Sequence, residues 1–63
     1  MAIEVRSNDI NEFELIVVMD SLQKEGVKHA TIRKGNGCVW VSKGLVNEYY
    51  RFSGGQLVDI QVD

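Results

Sequence analysis

The sequence predicts an α+β fold: a short N-terminal strand, one helix over about residues 10–24, and a three- to four-stranded antiparallel meander packed on that helix. Three observations carry this. Residues 2–6 alternate apolar and polar. A breaker-free stretch of about 15 residues follows, between good helix caps and a glycine. The remainder is cut by Asn36-Gly37 and Ser53-Gly54-Gly55 into alternating segments.

In the first segment Ile3 and Val5 alternate with Glu4 and Arg6, the period-2 pattern of a strand with one buried face. Ser7-Asn8-Asp9 offers three N-cap residues, and Asp9 with Glu12 three positions on suits a reciprocal capping arrangement. A helix from Ile10 to Lys24 follows, ended by Gly26, with Lys24 placed favourably for the helix dipole. Leu15-Ile16-Val17-Val18-Met19 is rich in β-branched residues and also reads as a buried strand; segment length and caps favour helix.

Strands are expected over residues 27–34, 38–43, 46–52 and 57–62. Asn36-Gly37 is a strong two-residue hairpin signal of type I′. It pairs Lys34 with Val39, Ile32 with Val41 and Ala30 with Lys43, so Ala30, Ile32, Val39 and Val41 share the core face. In the last strand Val58, Ile60 and Val62 alternate with Asp59, Gln61 and Asp63, which directs the apolar set inward. A three-residue turn at 53–55 would add Tyr50 and Phe52 to that face, and a two-residue turn Tyr49; the first is preferred.

A single domain of 63 residues is expected. A chain of this size buries only about 60% of its unfolded surface, so it needs a staple, an exceptional core or a partner. One cysteine, Cys38, and one histidine, His29, rule out an internal disulfide and a four-ligand zinc site, and no cofactor is expected. No apolar run approaches membrane-spanning length, and there is no signal-peptide pattern. With a lone thiol, these features point to a cytoplasmic protein without a membrane partner.

On a helical wheel the apolar residues form two faces rather than one stripe. Leu15, Val18, Met19 and Leu22 make one; Ile10, Phe13 and Val17 make the other, with Ile16 apart from both. One sheet covers one face. The second is assigned to a copy of the chain or another protein, with Ile10, Phe13 and Val17 as the oligomer interface and a homodimer expected; the pattern equally allows the two faces to exchange roles. The competing reading is a helix sunk into a curved sheet, with the first strand wrapping its far side.

The inward set leaves His29, Thr31, Arg33, Cys38, Trp40 and Ser42 on the outer sheet face, joined by Tyr49 and Arg51. Trp, Tyr and Arg are the residues of protein-interface hot spots. They also stack unpaired bases, which makes a single-stranded nucleic-acid binder the alternative. A third reading has Trp40 over Arg33 in a purely structural cation–π pair. A net charge of −2 weighs against nucleic acid, although Lys24, Lys28, His29, Arg33, Lys34, Lys43 and Arg51 concentrate positive charge mid-chain. Scattered lysines at turn flanks usually serve solubility.

Gly35-Asn36-Gly37 lacks the helix start and Lys-Ser/Thr of a phosphate loop. Cys38 and His29 fall at opposite ends of their strands, too far apart for a nucleophile–base pair. The expectation is therefore a non-enzymatic protein-binding module contacting its partner through Trp40, Arg33, Tyr49, His29, Thr31 and Arg51. Size alone suggests an inhibitor-like accessory protein or regulator, of the phage or toxin–antidote kind, that occludes a partner surface. A structural subunit of a larger assembly is the remaining alternative.

Overall fold

The structure is a computed structural model and describes residues 2–63. It is a small α+β fold with elements in the order β1 (Ala2–Val5), α1 (Glu12–Glu25), β2 (His29–Lys34), β3 (Cys38–Ser42), β4 (Asn47–Ser53) and β5 (Gln56–Val62). The strands form one sheet in sequence order. It has five strands and is mixed, because β1 pairs with β2 in parallel; the expected meander is the antiparallel remainder. A parallel pair needs a crossover, and α1 supplies it.

Residues 14–20 are helical. The helix starts two residues later than expected, since Asn11 and not Asp9 is the N-cap: its side-chain oxygen accepts a 2.8 Å hydrogen bond from the Phe13 N–H. At the other end the Gly26 N–H donates to the Gln23 carbonyl at 3.1 Å and the Val27 N–H to that of Leu22 at 3.0 Å. This is the Schellman arrangement, completed by Val27 and Leu22 at the same groove.

The first hairpin has the expected register, with Lys34 opposite Val39 and Ile32 opposite Val41. Its turn is not type I′. Gly37 has φ 75° while Asn36 stays at negative φ, the type II pattern, in which only the second central residue is left-handed. The last hairpin also departs from expectation. Gly54 and Gly55, at φ 60° and 79°, form a two-residue turn, with Ser53 opposite Gln56. An irregularity between Arg51 and Phe52 shifts the register there, and Val58 is the unpaired residue opposite it. That extra residue restores the alternation, so Tyr50 still faces the core with Phe52 packed against it.

The core is Val18 and Leu22 of α1 on Ala30, Ile32, Val39, Val41 and Tyr50 of the sheet, with Ile3, Ile10, Leu15, Val27 and Phe52 packed around it. Each fully buried aliphatic side chain contributes about 1.5–3 kcal/mol. Two lysines tie the helix to the sheet. Near its N-terminus Lys34 Nζ reaches Glu14 at 2.9 Å; at its C-terminus Lys43 Nζ lies 2.7 Å from both Glu25 and Glu48.

One expectation fails in part. Ile60 and Val62, opposite Tyr50 and Glu48, are on the helix side of the sheet but are 40% and 67% exposed, and Val58, at the register irregularity, is 58% exposed. Every residue of β5 is exposed. The helix has only Val18 and Leu22 fully buried, and although it approaches β5 it does not bury that strand's side chains.

Candidate functional site

Two surfaces stand out. Among the described residues no helix or further strand lies over the outer sheet face. Register places Arg33 beside Trp40 and Trp40 beside Tyr49, with Thr31 opposite Ser42 and Cys38 opposite Arg51. Alternation along β2 adds His29 at the far end, next to Ala2 of β1. All six residues expected at a partner contact therefore share this face, while Cys38 and His29 lie at its opposite ends.

Trp40 is held in place from two directions. Its ring is 4.3 Å from that of Tyr49, tilted by 57°. Its indole also rests against the Gly35 backbone, where a Cβ would overlap Nε1 and Cδ1. The indole's partner is thus Tyr49, whereas the cation–π reading looked to Arg33. Fixed on both sides, Trp40 remains 43% exposed.

The electrostatics of this face are mixed. Arg51 pairs with Asp59 at 3.3 Å, and Arg6 with Glu4 at 2.9 Å. The Tyr49 hydroxyl has a raised pKa, through burial first and then the adjacent Asp63 carboxylate. Among the described residues Arg33 has no carboxylate within 4.0 Å.

The second surface lies between the helix and β5. The groove on the other flank of α1 is lined by Ile3, Ile16, Met19 and Val27 and has a volume of about 480 Å³. Ser21, on the opposite side of the helix, receives the Tyr50 hydroxyl at 3.0 Å. Phe13 and Val17 follow Ser21 around the helix toward β5. Of the expected oligomer face, Phe13 is 50% exposed and Val17 half-buried, whereas Ile10 packs at the core rim. Ile60 and Val62 extend the exposed apolar surface from the sheet side.

Sequence reasoning missed the two lysine clamps, treating Lys34 and Lys43 as turn-flank lysines. The signal was present, because the hairpin register puts Lys43 opposite inward-facing Ala30. The Gly35–Trp40 contact has no such signal in the sequence. Among the described residues no group of three or more His, Cys, Asp or Glu side chains is placed to hold a metal, and no helix is long and apolar enough to cross a membrane. Comparison with family models, with curated proteins and with solved structures gives no match for this chain.

Proposed function

We propose that the chain is a non-enzymatic protein-binding module, an inhibitor- or regulator-like accessory protein of the cytoplasm that occludes a surface of a larger protein and acts as a homodimer. The supporting observation is Trp40, an exposed aromatic immobilised by Tyr49 and Gly35 on an open sheet face. A side chain already fixed in one conformation loses little entropy on binding, which is what an interface anchor requires. Thr31, Arg33, His29 and Arg51 form the polar surround.

The charge pattern favours a protein over a nucleic acid. Asp59 neutralises Arg51, and Asp63 sits beside Tyr49. A strand of phosphates would meet those carboxylates along the same face.

The test is photo-crosslinking in the cells that produce the protein, from a photoreactive residue at position 31. The expected adduct is destroyed by protease, resists nuclease, and disappears when Trp40→Ala is added. An adduct destroyed by nuclease would overturn the protein reading in favour of single-stranded nucleic acid. Adducts unaffected by Trp40→Ala would remove the anchor role.

A further inference from the structure

We propose that the homodimer forms by antiparallel pairing of β5 with β5 of a second copy, across a two-fold axis at Ile60, giving one continuous ten-stranded sheet. This rests on the homodimer reading above and specifies its geometry.

The outer edge of β5 carries unpaired backbone groups. The Asp63 N–H donates to the Asn47 carbonyl at 2.8 Å, so the Asp63 backbone is directed at β4. Hydrogen bonding alternates along an antiparallel ladder. Gln61 and Asp59, opposite Tyr49 and Arg51, therefore also point their backbone groups at β4. Ile60 and Val62 point theirs away, to the open edge of the sheet. Their side chains are the exposed apolar ones on the helix side. An open edge with apolar side chains is a template for another strand, and native proteins cover or block such edges.

Charge complementarity fits a copy of the same strand and distinguishes the registers. Directly opposed residues must share a face, which restricts self-pairing to axes that pass through a residue. An axis at Asp59 would oppose two Asp59 carboxylates. An axis at Gln61 would oppose Asp59 with Asp63 of the second copy. The axis at Ile60 opposes Asp59 with Gln61, an amide that can donate to the carboxylate, and sets Ile60 against Ile60. It also brings the unpaired backbone groups of the two Ile60 residues face to face. Phe13 and Val17 of each helix then flank the joined strands on one side of the sheet.

The test is the dimer dissociation constant from sedimentation equilibrium for the full chain and for three variants at constant ionic strength. Gln61→Lys places an ammonium opposite Asp59 of the second copy twice per dimer and is expected to tighten it about three- to tenfold. Gln61→Asp opposes carboxylates and is expected to loosen it by a similar factor. Gln23→Lys, on the helix flank away from β5, adds the same charge as the first variant and is expected to leave the constant unchanged. A dimer indifferent to both Gln61 variants, or one that responds equally to Gln23→Lys, would overturn the β5 geometry while the homodimer stands. A wild-type chain that stays monomeric throughout would overturn the homodimer reading itself.

Discussion

The indole of Trp40 lies directly on the backbone of Gly35, so closely that a methyl group at position 35 would overlap Nε1 and Cδ1. Gly35 has no left-handed φ, so the contact alone explains the need for glycine. Gly35→Ala is expected to push the indole off Tyr49 and to destabilise the fold by about 1–3 kcal/mol, the usual cost of overpacking. Near-ultraviolet circular dichroism reports the Trp40–Tyr49 geometry. A variant spectrum superimposable on that of the wild type would contradict the contact.

The helix reads its position on the sheet partly through Tyr50. This is the largest fully buried side chain, and its hydroxyl donates to Ser21 Oγ. Tyr50→Phe is expected to cost about 1 kcal/mol, since the ring still fills its site while one hydrogen bond goes. Ser21→Ala is expected to cost a similar amount and the double variant little more, because the two changes remove the same interaction. Chemical denaturation measures all three. Additive losses would show that the bond contributes nothing.

Lys43 holds Glu25 and Glu48 together under the C-terminal end of α1, with its own side chain only 12% exposed. Glu48 Oε1 is buried and has no well-aligned hydrogen bond, so the ammonium at 2.7 Å is its compensation. Lys43→Met is expected to destabilise by about 1–3 kcal/mol, below the full cost of breaking a buried pair because Glu25 is partly exposed. Adding Glu48→Leu is expected to recover most of that. A double variant no more stable than Lys43→Met would contradict the assignment.

The same cluster sets a pH limit. Burial pulls the Lys43 pKa down, but the hydrogen bonds and charges of Glu25 and Glu48 outweigh it and the net shift is upward. Burial raises the Tyr50 pKa, against a smaller lowering by the Ser21 hydrogen bond. Both groups therefore hold their protons more tightly folded than unfolded. Their contribution is complete below the unfolded values, about pH 10, and is lost as pH rises through the folded ones. Denaturation midpoints are expected to be level from pH 7 to about 9.5 and to fall beyond it. Midpoints that rise between pH 10 and 11 would reverse the sign of this account.

Local pattern carried much of the fold. The hairpin at Asn36-Gly37 yields the Ile32–Val41 and Arg33–Trp40 pairs from two residues of turn chemistry, even though the turn type differs. The outer face follows from that register. Less legible were features that depend on non-local geometry. Parallel pairing of β1 depends on where α1 returns the chain, and the irregularity beside Phe52 leaves no mark in an alternation read one strand at a time. Exposure of Ile60 and Val62 was hidden for a related reason. Alternation shows which side of the sheet a residue faces, but not whether the helix is broad enough to cover it.

The apolar surface between α1 and β5 is where the account is most exposed to contradiction, and sedimentation equilibrium over a wide concentration range, with and without Phe13→Glu, tests it directly. Phe13 is half-exposed in the first turn of α1, where an acidic residue suits the helix dipole, so the variant is expected to fold. The account predicts a wild-type dimer and a Phe13→Glu monomer over the same range. A wild-type chain that sediments as a monomer at every concentration would contradict it.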